Sequence, residues 1–169
     1  MKGSSVVSVV YSKDKSKVIA LKRCDVPVWV FPGGGVENNE SPEEAIIREV
    51  KEETGVSVQI IRKVGIYSPV NRLTNTTHLF ECLAVDGDLL TGEETREIGY
   101  YPIDDLPPPF LHVHKYWLED SLSNSSELIE EPVRGATYLH FILFLFVHPI
   151  LMFRYILTLL GCTINTSNR

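Results

Sequence analysis

Three glutamates in the first third of the chain have the spacing of metal ligands on one face of a helix. Glu49, Glu52 and Glu53 stand at positions i, i+3 and i+4, which fall on the same side of an α-helix. Like charges at these spacings destabilise an isolated helix by roughly 0.2–0.5 kcal/mol per pair. A divalent cation would offset that cost, because Mg²⁺ prefers carboxylate oxygens and keeps waters that substrate phosphates can replace. The spacing therefore predicts a Mg²⁺ site, which Mn²⁺ could also occupy.

A run of glycines precedes this helix. Pro32 ends the apolar segment 29–31 and is followed by Gly33, Gly34 and Gly35, which leave the backbone open to close approach by a ligand. Gly33 could offer its carbonyl as a further cation ligand, and Gly34 and Gly35 could offer their backbone to a substrate. We therefore expect the glycine loop and the acidic helix to form one site.

The helix that carries the glutamates has clear start and stop signals. Ser41 is the expected N-cap, Pro42 takes the first helical position, and Glu44 completes a capping box. Gly55 supplies the stop at the other end. The helix is therefore expected to begin directly after the glycine loop.

The two sides of this helix are expected to differ in polarity. Ala45 shares the acidic side, where its small side chain would leave room beside the ions. The other side is predicted to pack against a sheet through Ile46, Ile47, Val50 and Thr54. Acidic helix faces are usually just solvated, and Arg48 could pair with Glu52 at i+4. The glycine run is what favours a metal site over that simpler interpretation.

The complete pattern is more specific than any of its parts. It consists of Gly34, five residues, Glu40, seven residues and then the segment REVKEETGV, which runs from Arg48 to Val56. This ungapped pattern resembles the signature of the Nudix hydrolases. The resemblance implies an α/β fold of the Nudix type, an α/β/α sandwich around a mixed β-sheet, over about residues 5–122.

The resemblance also implies roles for residues inside the signature. In this family the glutamates that match Glu49, Glu52 and Glu53 coordinate divalent cations. The residue that matches Arg48 orients a glutamate, and the residue that matches Glu40 supports the loop at which the substrate binds.

Two further site residues are expected outside the signature. The family usually takes one more carboxylate from a distant loop, and we assign it to Glu94, with Glu93 and Glu97 as rivals. It also commonly places a basic residue at the end of the second strand, facing the substrate. Arg23 fits this role better than Lys22, because its planar fork matches a phosphate group. An exposed surface charge is the alternative for each of these residues.

The implied function is Mg²⁺-dependent hydrolysis of the diphosphate linkage in a nucleoside diphosphate derivative. ADP-ribose, a nucleotide sugar, a dinucleoside polyphosphate and a nucleoside triphosphate all remain open as substrates. Ions held by Glu49 and Glu53 would bridge the diphosphate, and Glu52, Glu53 or Glu94 would take a proton from the attacking water. A non-catalytic nucleotide-binding module of the same fold and a membrane-tethered hydrolase of a lipid-linked diphosphate are the alternatives.

The remaining elements follow from alternation and turn residues. Strands are predicted over 6–11, 17–21, 29–31, 58–67, 77–85 and 98–103, and a helix over 110–122. The predicted division is a hydrolase domain over 1–122, a polar linker over 123–137 and a hydrophobic helical tail over 138–169. His112 and His114 form an HxH pair that would project to different faces of the helix, so we predict a structural role for them.

Composition narrows the possible partners and location. The chain has 169 residues, 44% of them hydrophobic, and a formal net charge of −6 without a basic run, which argues against nucleic-acid binding. Three scattered cysteines, with no signal peptide, favour a reducing cytoplasm. The apolar segment 138–160 is long enough to span a bilayer, but Pro149 and Arg154 interrupt it. We therefore expect membrane association, with helices lying on the membrane favoured over a true span, or packing within a homodimer.

Overall fold

The computed structural model describes residues 3–72, 74–92, 94–123 and 125–138, together with residues 146, 149, 150 and 153. The candidate ligand Glu93 and most of the predicted tail over 138–169 lie outside the described residues. Among the helices that are described, none combines the length and apolar character that crossing a membrane requires.

The described part of the chain forms a mixed sheet with two helices. The elements, in chain order, are β1 (Ser4–Tyr11), β2 (Lys17–Arg23), β3 (Trp29–Val30), β4 (Gly33–Gly35), α1 (Pro42–Thr54), β5 (Ser57–Ser68), β6 (Thr76–Asp86), β7 (Thr95–Pro102), α2 (His112–Leu122) and β8 (Ile129–Pro132). Every strand predicted from alternation is present, as is the second helix, with ends shifted by up to three residues. Strands β4 and β8 were not predicted.

The sheet has the order β3-β2-β1-β6-β5-β8, with β7 paired to β2 and β4 paired to β1. Strands β1 and β6 run parallel along the whole length of β1, and β5 and β8 run parallel over a shorter stretch. The other pairs are antiparallel. The parallel β1–β6 pair lies inside the sheet, and parallel strands are usually covered on both faces.

The alternation of β1 shows how the two helices cover these faces. Val6 and Val10 belong to the apolar cluster that contains the buried residues of α1. Val7 and Val9 belong to the cluster that contains Trp117 of α2. Because successive strand residues point to opposite faces, α1 and α2 lie on opposite sides of the sheet. This three-layer arrangement is the predicted α/β/α sandwich.

The glycine run is a short strand rather than a loop. Gly33, Gly34 and Gly35 pair antiparallel with β1, opposite Val7, Val6 and Ser5, respectively. A Cβ atom on Gly33 would overlap the Val6 carbonyl. A residue with a side chain therefore could not take this position without displacing β1.

Two predictions about the faces of α1 are wrong. Ala45 is completely buried in the core, while Ile47 is 46% exposed. The buried face is formed by Ala45, Ile46, Val50 and Thr54, and Glu53 follows Ile46 by seven residues, which places it on that same side. The acidic and apolar faces thus overlap, because the carboxylates of α1 approach the edge of the core.

The segment predicted as a polar linker, 123–137, contains strand β8 and the buried residues Val133 and Ala136. The segment is polar in composition, and both glutamates of β8 are exposed. Its backbone nevertheless pairs with β5 from Gly65 to Ser68. The division of the chain into domains stays a prediction.

Candidate active site

Helix α1 starts and ends as its capping residues predict. The Ser41 hydroxyl accepts the Glu44 N–H at 3.2 Å, and the Glu44 carboxylate accepts the Ser41 N–H at 2.8 Å. Gly55 ends the helix in the left-handed conformation, with a φ of 75°. These contacts fix both ends of α1 and therefore the position of its carboxylates relative to β4.

Glu53 joins the helix to the glycine strand. Its Oε2 accepts the Gly33 N–H at 2.9 Å. The amide of Gly33, rather than its carbonyl, therefore makes the contact seen here, and the carbonyl's role as a cation ligand stays a prediction.

Glu49 lies directly against the next glycine. A Cβ atom built on Gly34 would overlap the Glu49 carboxylate, whose side chain is only 15% exposed. The absence of a side chain at Gly34 is therefore what lets the carboxylate reach the strand.

Arg48 connects the remaining parts of the signature. Its guanidinium donates to both oxygens of Glu40, at 2.8 and 3.0 Å, and to the Gly35 carbonyl at 3.0 Å. Nη1 also donates to Glu49 at 3.0 Å and to Glu52 at 3.2 Å. The i+4 pair with Glu52 is thus one contact among several, and the wider set of contacts agrees with an orienting role for Arg48.

Glu40 also holds the turn before the helix. Its Oε2 accepts the Glu37 N–H at 3.0 Å. The pKa of Glu40 is lowered, chiefly by the hydrogen bonds from Arg48. Asn39, just before it, has a positive φ of 67°, which asparagine tolerates better than most residues. The turn therefore keeps its shape without a glycine at this position.

The carboxylates of the site disfavour one another's charge. The pKa of Glu53 is raised to about 7, chiefly by burial and also by the charges of Glu49 and Glu94. The hydrogen bond from the Gly33 amide acts in the opposite direction and lowers it. Burial also raises the pKa of Glu49. A nearby cation would favour the ionised forms, and the donors are hard oxygens of the kind that Mg²⁺ binds.

Within the described part of the chain, no group of three or more acidic, histidine or cysteine side chains is placed so that it could hold a metal ion. Glu49 accepts a hydrogen bond from Arg48, and Glu53 accepts one from the Gly33 amide. Each carboxylate would give up such a hydrogen bond when it binds a metal ion. The chemistry of the donor set fits a divalent cation that also keeps waters.

The loop that carries Glu94 packs against the C-terminal end of α1. A Cβ atom on Gly92 would lie 2.9 Å from a carbonyl of α1, and the Thr95 hydroxyl lies 3.5 Å from the Glu53 carbonyl. The Glu94 carbonyl accepts the Cys24 N–H at 2.9 Å. These contacts bring the Glu94 backbone beside both the helix and the end of β2.

The two alternatives to Glu94, which are Glu93 and Glu97, have different surroundings. Glu97 is 49% exposed and pairs with Lys22 at 2.9 Å, and Glu93 lies outside the described residues. Glu94 is the loop carboxylate whose charge raises the pKa of Glu53. This electrostatic contact supports its choice, although its role as a ligand stays a prediction.

Arg23 lies within electrostatic reach of Glu53 and Glu94. Its pKa is raised first by the hydrogen bonds to Asp25, and the charges of Glu94 and Glu53 raise it further. Asp25 was not identified from the sequence. The available signal was its position two residues after an arginine at a strand end, which is too short a pattern to distinguish from a surface pair.

His114 supports the strand that leads into the glycines. The ring is buried, and its Nδ1 accepts the Phe31 N–H at 3.0 Å. Burial lowers the pKa of His114 to about 3, so the ring is neutral. His112 is exposed and contacts Tyr116 instead, which agrees with structural roles for both histidines.

The sequence model of the NUDIX domain family matches residues 1–121 of the chain. A MutT-like protein of Streptomyces ambofaciens is 31% identical over 72% of this chain and 77% of its own length. An ADP-ribose pyrophosphatase of Methanocaldococcus jannaschii is 32% identical over 60% of this chain and 63% of its own length. The match thus spans slightly less than two thirds of the second relative.

The fold recurs in a solved structure. A NUDIX hydrolase of Nitrosomonas europaea superimposes with a TM-score of 0.67, at 23% identity, over 78% of each chain. The similarity of the fold confirms the predicted sandwich, and the family match confirms the interpretation of the signature.

Proposed function

The chain belongs to the Nudix family of pyrophosphohydrolases, and from this membership we propose that it hydrolyses the diphosphate linkage of a nucleoside diphosphate derivative with Mg²⁺. Nudix hydrolases use divalent metals, and Mn²⁺ is a possible substitute for Mg²⁺ here. The observation that carries the proposal is the junction of α1 and β4, where Glu53 binds the Gly33 amide and Glu49 lies on Gly34. Carboxylates placed beside a glycine backbone can hold a cation, and the cation can in turn bind a phosphate.

The residues that would hold the cation are the carboxylates around this junction and one carbonyl. They are Gly33, Glu49, Glu52, Glu53 and Glu94. When bound, Mg²⁺ neutralises the charge of the diphosphate and makes water a better nucleophile. The raised pKa of Glu53 and of Glu49 supports this assignment, because burial disfavours the charge of both carboxylates and a bound cation would favour it.

Three glutamates are candidates for the group that takes the proton from water. Glu53 is mostly buried beside β4, whereas the Glu52 side chain is 61% exposed and Glu94 comes from the loop before β7. Arg48 contributes by holding Glu49 and Glu52 in place. Loss of the base lowers kcat by about 10²- to 10⁴-fold, and the base is the glutamate whose Gln variant also loses the acidic limb of the pH–kcat profile.

Substrate contacts are assigned to the groups around the glycine strand. Gly34 and Gly35 offer backbone that a phosphate can approach, and Glu40 keeps the loop in shape through Arg48. Arg23 supplies positive charge beside Glu53 and Glu94. An anionic substrate would therefore meet a positive group near the carboxylates.

The choice of substrate lies outside the signature. The relative named ADP-ribose pyrophosphatase supports testing ADP-ribose first. Nucleotide sugars, dinucleoside polyphosphates and nucleoside triphosphates complete the set of candidates. Membrane association or homodimer formation through 138–160, and a cytoplasmic location, stay predictions.

A Mg²⁺-dependent hydrolysis screen over these four substrate classes tests the proposal. Wild type should cleave at least one of them, and Glu53→Gln should lower kcat by at least about 100-fold. Glu119→Gln is the matched control, because Glu119 is an exposed glutamate on α2. If wild type cleaves none of the substrates, or if Glu53→Gln retains the wild-type kcat, the chain is not the proposed hydrolase and a non-catalytic binding role replaces it.

A further inference from the structure

The turn between β2 and β3 contains a carboxylate that has no part in the hydrolysis proposed above. Asp25 lies two residues beyond the end of β2, and its side chain is 18% exposed. Its Oδ1 accepts the Arg23 Nε–H at 2.8 Å, and its Oδ2 accepts an Nη2–H at 2.7 Å. Oδ1 also accepts the Val26 N–H at 2.7 Å. The Val26 amide therefore fixes the carboxylate, and the carboxylate fixes the guanidinium of Arg23.

This contact engages one side of the guanidinium and leaves its end available. A guanidinium has five N–H groups in a rigid plane, and the two bonds to Asp25 use the edge formed by Nε and Nη2. Among the described residues, Arg23 makes no other side-chain hydrogen bond. The remaining three N–H groups include the Nη1–Nη2 edge, which can bind two phosphate oxygens together.

The position of Arg23 in the sheet brings its guanidinium near the proposed site. Arg23 pairs with Thr95 in the sheet, and the neighbouring Cys24 N–H binds the Glu94 carbonyl at 2.9 Å. The charge of Arg23 is one of the causes that lower the pKa of Glu53, and the charge of Glu53 is one of those that raise the pKa of Arg23. The guanidinium therefore lies within the electrostatic field of the carboxylates that would hold the ion.

We propose that Asp25 is a positioning residue: its two hydrogen bonds fix the orientation of the Arg23 guanidinium, so that the free Nη1–Nη2 edge is already oriented to bind the phosphates of the substrate. We call this pair of hydrogen bonds the clamp. The inference rests on the proposed function, in which Arg23 contacts the substrate. An unclamped arginine would lose rotamer freedom when the substrate binds. Asp25 removes this cost in advance and does not itself contact the substrate.

A purely structural role for Asp25 would have a different signature. Loss of the clamp would then lower the melting temperature without a specific effect on anion binding. Asp25→Asn separates the two roles, because asparagine is nearly the same size and keeps one acceptor oxygen, but loses the charge and the second acceptor.

Calorimetric titration with methylenebisphosphonate in Mg²⁺ buffer provides the test, since its P–C–P bridge cannot be hydrolysed. Wild type, Asp25→Asn, Arg23→Ala and the double variant are compared. We expect Asp25→Asn to raise the Kd by about two- to tenfold, and the double variant to bind no more weakly than Arg23→Ala. Coupling of this kind means that Asp25 acts through Arg23.

Asp120→Asn is the matched control. Asp120 also pairs with an arginine, Arg134, on the α2 side of the fold, so this variant should lose stability while keeping the wild-type Kd. The inference is overturned if Asp25→Asn binds the bisphosphonate as wild type does, if its effect adds to that of Arg23→Ala, or if wild type does not bind it.

Hydrolysis measured in parallel separates this inference from the proposed function. Asp25→Asn should raise KM for the cleaved substrate more than it lowers kcat. If wild type binds the bisphosphonate through the coupled pair but hydrolyses nothing, the proposed function fails and the clamp stands. If wild type hydrolyses a substrate while Asp25→Asn leaves both Kd and KM unchanged, the clamp fails and the proposed function stands.

Discussion

One guanidinium organises the centre of the site. Arg48 binds Glu40 through two nitrogens and also reaches Glu49, Glu52 and the Gly35 carbonyl. These partners come from the turn before α1, from α1 itself and from β4. Glu49 is thereby held where Gly34 leaves space for it. The position of the Glu49 carboxylate thus depends both on the hydrogen bond from Arg48 and on the absence of a side chain at Gly34.

Gly34→Ala should disable this arrangement. The added methyl group would occupy the place of the Glu49 carboxylate, which must then move away from β4. Because a misplacement of about 1 Å can cost about 100-fold in rate, we expect a fall in kcat of that order. Steady-state kinetics with the substrate found in the hydrolysis screen measures the effect.

Gly3→Ala serves as the control for the same chemical change. A Cβ atom on Gly3 meets no atom within 4 Å, so kcat and the melting temperature should stay at their wild-type values. A wild-type kcat in Gly34→Ala would mean that the position of Glu49 against the strand is unimportant.

At the scale of elements, α2 and β3 are joined by a neutral histidine. His114 of α2 accepts the Phe31 N–H and packs edge to face on Trp117 with ring centroids 4.7 Å apart. Protonation would remove the acceptor and place a charge in the core. The junction beside the glycine strand therefore depends on a ring that must stay uncharged.

This junction makes the free energy of unfolding depend on pH. The pKa of His114 is about 3 in the folded chain, against an ordinary value of 6.5. Below pH 6.5 the unfolded state binds a proton that the folded state does not, so the stability from this group is full above pH 6.5 and falls as the pH decreases toward 3. The loss is up to about 1.4 kcal/mol per pH unit.

His114→Asn keeps an acceptor for the Phe31 amide but cannot titrate. Between pH 7 and pH 5 we expect wild type to lose about 2 kcal/mol more free energy of unfolding than this variant. Urea unfolding at the two pH values provides the measurement. His112→Asn, at an exposed position on the same helix, should keep the wild-type pH dependence, and equal losses in wild type and His114→Asn would contradict the assignment.

At the scale of the whole molecule, a polar cluster fixes the segment that follows α2. Asp120 accepts the Tyr67 hydroxyl at 2.6 Å and binds Arg134. The Val133 N–H donates to the Ser68 carbonyl at 2.9 Å. The end of β5, the end of α2 and the residues after β8 thus share one set of contacts, although the matched NUDIX region ends at residue 121.

Asp120→Ala should therefore destabilise the whole fold rather than the site. It leaves the Tyr67 hydroxyl and Arg134 without their acceptor, and we expect a loss of about 2 kcal/mol in free energy of unfolding, since Arg134 is partly exposed. Urea unfolding measures the loss. Glu119→Ala, at the exposed neighbouring position, should change the stability little, and an equal effect of both variants would show that the cluster is not stabilising.

Local and non-local features differ in how well the sequence predicts them. The caps of α1 and the register of the signature depend on residues a few positions apart, so the pattern from Ser41 to Gly55 could be interpreted directly. The orientation of α1 could not, because burial of Ala45 and exposure of Ile47 depend on how α1 sits on β1 and β6. Strand β8 was missed for a similar reason, since it contains two exposed glutamates and pairs only with a distant strand.

The parallel pairing of β1 with β6 has a consequence for biosynthesis. Ser4 and Thr76, which face each other at the start of this pair, are 72 positions apart in the chain. Translation at roughly 5–20 residues per second leaves several seconds between the emergence of the two strands. During that interval α1 has left the ribosome without the completed sheet on which its apolar residues pack. The contacts that bring the loop of Glu94 beside the end of α1 can therefore form only after β6 and the loop before β7 have been synthesised.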